Sequence, residues 1–268
     1  MRLVSVDQEK CIRCGACIEE CPTHVLELEE DGPKDVQPAV CRVCGHCVAV
    51  CPTQAIDHIR TPRAKQIDIT EYTRLSPQEA ALFLRSRRSV RSYKKNPVPR
   101  EKIIELVDIA HFAPTGSNRQ SISYVIVDDL ETLKKASAAT IQWLEKNPPL
   151  REYFAPMIKA YRHKGVDSIL RGAPSLVIAT APKGLEKGRE NTMICLTYLE
   201  LFAPTLGLGT CWAGIFERCA FAGDSPLPEM FKIPQDKKIT GAVMVGYPKN
   251  RFVRLVDRNP LEVTIFTP

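Results

Sequence analysis

Eight of the eleven cysteines lie between residues 11 and 51, in two copies of the pattern C-x2-C-x2-C-x3-C-P. Cysteines at this spacing bind iron–sulfur clusters, because three of them in one tight turn reach three irons of a cubane. The fourth, held extended by the following proline, points to the other cluster. The pattern therefore predicts two [4Fe–4S] clusters. The predicted ligands are Cys11, Cys14, Cys17 and Cys51 for cluster 1, and Cys21, Cys41, Cys44 and Cys47 for cluster 2.

Zinc sites and structural thiols are the alternative uses for so many cysteines. Zinc sites use paired C-x2-C knuckles separated by a longer loop, and they lack a fourth cysteine followed by proline. Gly15 and Gly45 allow each loop to bend closely around the sulfurs. Since eight thiolates already complete two clusters, we expect His24 and His46 to be surface residues or to lie behind the ligands. The other cysteines, Cys195, Cys211 and Cys219, are predicted to be structural.

An internal repeat defines the N-terminal region. Residues 11–27 align with residues 41–57 at a period of 30, matching at every cysteine, the glycine, the proline and the next threonine. Over residues 3–60 the chain resembles a bacterial-type two-cluster ferredoxin. That resemblance implies a pseudo-twofold domain that moves one electron at a time at low potential. We predict a two-cluster domain over residues 1–60, a polar linker over 61–75 and a second domain over 76–268.

The second domain alternates helices and strands. Ser76, Pro77 and Glu79 form a capping box with proline at the first helical position, which predicts a helix to Arg87. A second helix is predicted from Pro99. Further predictions are helices near 130–146, 150–163 and 188–206, strands near 121–129, 209–213 and 239–246, and a central strand at 173–181.

Two segments of this domain could bind a phosphorylated cofactor. The segment RRSVRSY, at 87–93, places three arginine guanidinium groups and a serine hydroxyl at a helix end, and such bidentate donors suit a terminal phosphate. The alternative is that this segment is only a solvated basic helix end. APTGSNRQ, at 113–120, is a turn of small polar groups suited to contact a ligand. Neither a P-loop nor a G-x-G-x-x-G fingerprint is present.

Over residues 80–264 the chain resembles the nitroreductase family of FMN oxidoreductases. The resemblance rests on RRSVRSY, APTGSNRQ, GAPSLVIA, LGLGTCW and VGYP leading to RNPLEV, in this order. It implies an α+β fold in which a small ferredoxin-like domain precedes a nitroreductase-like α/β sandwich with a central mixed sheet. It also implies a homodimer with FMN near the interface.

The resemblance assigns cofactor contacts to individual residues, while the chemistry is carried by the flavin N5 and no side chain is assigned as catalytic. Gly116 replaces a usual serine and Ser121 a usual proline, while Val256 stands where a basic residue is common. Trp212 could instead belong to the core. The implied FMN residues are Arg87, Arg88, Ser89, Arg91, Thr115, Asn118, Gln120, Cys211, Trp212, Ala213, Gly214 and Arg258.

These features favour an oxidoreductase in which electrons enter through the two clusters and collect on FMN, which then reduces a nitroaromatic or quinone-like acceptor. An electron-transfer module serving another redox protein and reductive dehalogenation on the same fold are the alternatives. The electron donor stays open between NAD(P)H and a ferredoxin-type protein.

The formal net charge of +6 does not require a nucleic-acid partner. Two clusters at about −2 each and an FMN phosphate at about −2 bring the holoprotein close to neutral.

The start, MRLVSVDQEK, shows no signal-peptide pattern, which predicts a cytoplasmic protein. Glu200 and Pro204 interrupt the most apolar stretch, 193–216, so we expect no membrane span.

Overall fold

The computed structural model describes residues 2–267, which divide by their contacts into two units. The first unit is Met1–Arg74 together with Thr115–Arg119, and the second is Leu75–Pro114 together with Gln120–Pro268. The segment up to Arg74, which includes most of the predicted linker, groups with the first unit. Among the described residues, no helix combines the length and apolar character that crossing a membrane requires.

The first unit is built from two short antiparallel ribbons. Strand β1 pairs with β4, and β2 pairs with β3. The pairs are repeat-related, because a shift of 30 residues carries β2 onto β4. The elements of the first unit are β1 (Val4–Val6), α1 (Ala16–Glu19), β2 (Leu26–Glu29), β3 (Gly32–Asp35), α2 (His46–Ala49) and β4 (Ile56–His58).

The backbone repeats as closely as the sequence does. Gly15 and Gly45 precede α1 and α2 with φ of 80° and 75°, the left-handed region that glycine adopts without steric cost. Arg13 and Val43 also share this region, with φ of 56° and 53°. For a β-branched valine such a conformation is strained. Both loops therefore have one shape despite different side chains, as the repeat predicts.

The second unit has a four-stranded sheet in the order β5-β6-β8-β7. All three pairings are antiparallel, and one parallel bridge joins Ser89 to Thr210 at the edge. The mixed character expected of the sheet thus lies in that bridge. The strands are β5 (Ser123–Val127), β6 (Ser175–Pro182), β7 (Gly209–Trp212) and β8 (Lys237–Gly246).

Helices cover this sheet, which separates two buried apolar clusters. The predicted capping box is present at Ser76 and Glu79. The first seven residues of β6 are buried, as expected of a central strand. The helices are α3 (Pro77–Ser86), α4 (Arg100–His111), α5 (Leu130–Lys146), α6 (Pro148–Tyr153), α7 (Ala155–Lys164), α8 (Gly188–Phe202), α9 (Gly214–Ala220) and α10 (Leu227–Met230).

Proline causes two differences from the predicted helices. The single helix expected over 150–163 is two helices separated at Phe154, with Pro156 in the first turn of α7. The helix expected to run to 206 ends at Phe202 and continues as a 3-10 turn, Ala203–Leu206. Because Pro204 has no N–H to donate, the α-helical pattern stops before it.

Candidate functional site

Each predicted ligand set lines its own cavity in the first unit. Cysteines 11, 14, 17 and 51 line one cavity, and cysteines 21, 41, 44 and 47 line the other. Each cavity takes three cysteines from one loop and the last cysteine from the other. This exchange of the fourth ligand is the arrangement that the two-cluster spacing predicts. The four thiols that line each space are the donor set that a [4Fe–4S] cluster requires.

Burial and hydrogen bonding shift the pKa values of these thiols in opposite directions. Burial raises the pKa of Cys47 to about 11, and nearby thiolates add to that shift. Burial also opposes ionisation of Cys21 and Cys51, but hydrogen bonds prevail and lower the pKa of both. Backbone N–H groups of Val25 and Ala55 donate to Cys21 Sγ and Cys51 Sγ, at 3.3 and 3.2 Å. Because a bound metal deprotonates its thiol ligands outright, iron binding would overcome the cost of ionising the buried Cys47 thiol.

The arginine motif, Arg87–Tyr93, lies beside β7 in the second unit. Val90 donates its backbone N–H to the Thr210 carbonyl at 2.8 Å. This contact extends the Ser89–Thr210 bridge and places the motif along the strand that carries Cys211 and Trp212. The structure thus brings together two segments of the predicted FMN site that lie more than a hundred residues apart.

Arg88 carries an unsatisfied buried donor. Its Nε is buried and has no hydrogen-bond partner among residues 2–267. The Arg88 guanidinium also lies over the Phe252 ring, 5.5 Å from its centroid. A buried guanidinium N–H without an acceptor is costly, and an anionic oxygen would satisfy it. The arginine motif therefore fits an FMN phosphate.

Cys211 lies next to the hydroxyl of Ser89. Burial raises the pKa of Cys211, while the charges of Arg91 and Arg171 and a hydrogen bond from Ser89 oppose that shift. Arg171 is thus close to the predicted site, although no sequence motif marked it. Arg171 has φ of 59°, so the backbone there is left-handed at a non-glycine residue.

Glu200 is a buried carboxylate that sequence analysis did not assign to the site. On α8, it accepts hydrogen bonds from Trp212 Nε1 at 2.7 Å and from Thr210 Oγ1 at 3.1 Å. It also lies 3.5 Å from a terminal nitrogen of Arg87. Glu200 therefore joins the arginine motif to β7. The signal in the sequence was a carboxylate inside the most apolar stretch.

Trp212 is also held on its ring face. The guanidinium of Arg189 lies 5.1 Å from the ring centroid. Arg189 in turn makes a two-pronged ion pair with the buried Glu217, at 3.2 and 2.9 Å. The indole of Trp212, which is half-buried, is therefore held at its N–H by Glu200 and on its ring face by the guanidinium of Arg189.

The remaining predicted FMN residues occupy different environments. The Ala213 N–H donates to the Ala242 carbonyl at 2.9 Å, while Gly214 faces open space in which a Cβ would meet no atom within 4 Å. Arg258 is exposed in a C-terminal coil. Gln120 has φ of 49° and belongs to the second unit.

The turn at Thr115–Arg119 groups with the first unit. Within it, Asn118 donates its side-chain amide to the backbone carbonyls of Arg42 and Val43, at 3.0 Å each. Both carbonyls belong to the loop of the second cysteine motif.

Comparison with known proteins identifies both parts of the chain. The Nitroreductase family matches residues 84–247, and the 4Fe-4S dicluster domain matches residues 10–55. The FMN reductase [NAD(P)H] of Bacillus subtilis (strain 168) is 25% identical over 65% of this chain and 67% of its own length. Iodotyrosine deiodinase of Thermotoga neapolitana is 29% identical over 47% of this chain and 68% of its own length.

Solved structures share the fold of the second unit. A nitroreductase with bound FMN from Bacteroides fragilis superposes with a TM-score of 0.57, at 19% identity over 70% of this chain and 99% of that one. The fold and the cysteine motifs define an FMN-dependent oxidoreductase with two [4Fe–4S] clusters. The chain belongs to the nitroreductase family and carries a ferredoxin-type domain before the FMN domain.

Gly209→Ala is expected to weaken FMN binding and to destabilise the fold. A Cβ at this position would lie 2.5 Å from Val90 Cγ2 and 2.9 Å from Pro248 Cγ, so the arginine motif must move away from β7. Overpacking of this kind costs about 1–3 kcal/mol. Thermal unfolding and FMN fluorescence titration measure both effects. Gly184→Ala is the matched control, because a Cβ there meets no atom within 4 Å; equal behaviour of the two variants would contradict the contact.

Wild-type protein is expected to lose stability relative to Glu200→Gln as pH rises above 4.5. Burial raises the pKa of Glu200 above its ordinary value of 4.5, although Arg87, Thr210 and Trp212 oppose the shift. The folded state then binds more protons than the unfolded state between the two pKa values, so raising the pH favours unfolding. Unfolding midpoints from pH 4.5 to neutrality measure this difference. Glu190→Gln, on the exposed face of α8, should leave the wild-type profile unchanged; a parallel profile for Glu200→Gln would contradict the assignment.

Proposed function

We propose that this chain is an enzyme that reduces a small electron-poor organic acceptor, nitroaromatic or quinone-like, with electrons that enter singly through its ferredoxin domain. The proposal rests on the presence of both kinds of site in one chain. Two cavities are each lined by four cysteines, and the arginine motif has a buried N–H donor, Arg88 Nε, without a partner among the described residues. FMN, when bound, supplies the exchange between one-electron and two-electron chemistry. A ferredoxin domain in the same chain favours a one-electron donor over direct use of NAD(P)H.

The metal ligands follow from the cavities. We assign Cys11, Cys14, Cys17 and Cys51 to cluster 1, and the other four motif cysteines to cluster 2. The cysteines that line each cavity support this division. Ligation needs reduced thiols, which agrees with a cytoplasmic location.

Phosphate binding is assigned to the arginine motif. Arg88 offers the unsatisfied buried Nε, and the next residue in the chain, Ser89, offers a hydroxyl. Glu200 positions Arg87 through the 3.5 Å contact. Arg171 is added to the predicted set, because its charge reaches Cys211 together with that of Arg91. The chain thus supplies charge neutralisation and oriented donors for a phosphate.

We also propose a homodimer. Helix α3 has no buried residue, although Leu82, Phe83 and Leu84 are 58%, 37% and 55% exposed. A helix of this composition gains stability by covering its apolar side chains. A second copy of the chain is the partner we assign, in line with the family resemblance. Sedimentation of the holoprotein tests this, and a monomer at micromolar concentration would contradict it.

Reductive dehalogenation is the second candidate function. It is favoured by the similarity to iodotyrosine deiodinase of Thermotoga neapolitana. Both candidate reactions transfer electrons from a reduced flavin to an acceptor bound by the protein. They differ in the acceptor, so a panel of nitroaromatics, quinones and halogenated phenols separates them.

Anaerobic stopped-flow reoxidation tests the enzyme assignment. Reduced holoprotein is mixed with each small acceptor and, separately, with an oxidised ferredoxin-type protein. Rapid reoxidation by one class of small acceptor, with product formed in proportion to flavin oxidised, is expected. Reoxidation by the protein carrier alone would contradict an enzyme and support an electron-transfer module.

A further inference from the structure

His58 is a buried histidine in contact with a predicted cluster ligand. It is the last residue of β4 and is 3% exposed. Its Nε2 lies 3.6 Å from Cys41 Sγ, within hydrogen-bond distance for sulfur. His58 also lines the cavity formed by the cluster 2 cysteines. His58 lies outside both cysteine motifs, so the cysteine spacing did not single it out.

The backbone fixes which ring nitrogen of His58 carries the proton. The N–H groups of Arg60 and Thr61 both donate to Nδ1, at 3.1 and 3.3 Å. A nitrogen that accepts hydrogen bonds carries no proton, so the proton of the neutral ring is on Nε2. Nε2–H therefore donates to Cys41 Sγ. The tautomer follows from two backbone donors that belong to the turn after β4.

The repeat places leucine at the corresponding position of cluster 1. A shift of 30 residues carries His58 onto Leu28, which lines the cavity of Cys11, Cys14, Cys17 and Cys51. A leucine side chain cannot donate a hydrogen bond. The N–H···S bonds from Val25 to Cys21 and from Ala55 to Cys51 are repeat-related, one on each ligand set. His58 is thus one difference between two environments related by the repeat. His46 in place of Ala16, and the Val43 N–H that donates to Cys41 Sγ at 3.4 Å, are others.

Charges at the cavity rims have a weaker influence than His58. Arg13 lines the cluster 1 cavity, and Arg42 and Glu20 line the cluster 2 cavity. All three side chains are exposed, so water and salt screen their charges. His58 is buried, and its hydrogen bond acts in a low-dielectric environment.

We propose that His58 raises the reduction potential of cluster 2 by donating Nε2–H to Cys41 Sγ, so that cluster 2 accepts the first electron. Reduction adds one electron from a low-potential one-electron donor, and His58 keeps its proton throughout. The added negative charge strengthens the hydrogen bond to sulfur, which stabilises the reduced form more than the oxidised form. The inference rests on the proposed ligand assignment.

Potentiometric titration of the anaerobic holoprotein, followed by electron paramagnetic resonance, tests this inference. His58→Leu installs the residue of the other repeat. At a fixed potential, we expect the reduced-to-oxidised ratio of the higher-potential cluster to fall about tenfold, which is about 59 mV for a one-electron couple. The other cluster should stay within a factor of about three. No shift, or an equal shift of both clusters, would overturn the proposal.

Two further variants control for packing. His58→Gln retains a side-chain N–H donor and should keep the ratio within a factor of about three of wild type. Leu28→Met changes the repeat-related position without adding a donor and should shift neither cluster. If His58→Gln lowers the ratio as far as His58→Leu, the hydrogen bond is not the cause and the proposal fails.

Iron analysis separates this inference from the ligand assignment. Fewer than about eight irons in the wild-type chain contradicts the two-cluster assignment itself. Eight irons with no shift on substitution contradicts only the role of His58. If the His58→Leu protein does not assemble its clusters, magnetic coupling between histidine nitrogen and the reduced cluster decides instead. His46 also lines the cluster 2 cavity, so it is first replaced in a His46→Gln variant labelled with 15N-histidine. This variant should show 15N coupling at the cluster that is reduced first. Coupling absent there would overturn the proposal.

Discussion

A Cys44→Ala variant is expected to lose cluster 2 and to keep its FMN domain folded. Cys44 lines the cluster 2 cavity, and a cubane with three protein ligands loses iron readily. The iron content should fall to about half of the eight expected for two clusters. On the proposed route, in which electrons enter through the clusters, turnover with a one-electron donor should fall by about a hundredfold or more. Direct reduction of the flavin by a small chemical reductant should persist.

A non-ligand cysteine supplies the control for this variant. Cys195 is buried in the second unit, away from both motifs, so Cys195→Ala should keep full iron and wild-type turnover. Iron analysis, absorbance and steady-state turnover are measured on both. Wild-type turnover in Cys44→Ala despite the loss of iron would show that the clusters are not the route by which electrons enter.

An Arg88→Ala variant is expected to bind FMN about 10- to 150-fold more weakly than wild type. One charge-assisted hydrogen bond contributes about 1.5–3 kcal/mol, which sets this range. Arg88 is chosen because its buried Nε lacks a partner among the described residues, whereas Arg87 already contacts Glu200. The affinity is measured by fluorescence titration of the apo-flavin protein.

An exposed arginine matches this substitution elsewhere in the second unit. Arg162 pairs with Glu145 at 2.7 Å on the surface, where such pairs contribute at most about 1 kcal/mol to folding. Arg162→Ala should leave FMN affinity unchanged. Equal affinity of Arg88→Ala and wild-type protein would remove Arg88 from the phosphate site and leave Arg87, Arg91, Arg171 and Arg258 as its candidates.

The cluster cavities were the part of the molecule most completely predictable from sequence. Cysteine spacing is a local property, and the proline after each fourth cysteine indicates which ligand crosses over. The two cavities contain the predicted sets of four. Helix starts were also predictable where a cap marks them, as at Ser76.

Contacts between distant segments could not be predicted from one sequence. Glu200 meets Arg87 across 113 residues, and neither residue has a local pattern that names the other. Arg171 comes near Cys211 only because β6 and β7 both lie beside β8. Asn118 donates to the loop carbonyls from a turn whose backbone is left-handed at Ser117 and Asn118, which the sequence does not indicate.

Anaerobic titration of the holoprotein with NADH, NADPH and a reduced ferredoxin-type donor tests the central claim most directly. Cluster and flavin absorbance are followed together. The reduced protein donor should bleach the clusters first and the flavin afterwards, while NADH and NADPH should reduce the flavin slowly or not at all. Rapid bleaching of the flavin by NADH or NADPH, with the clusters still oxidised, would contradict electron entry through the ferredoxin domain.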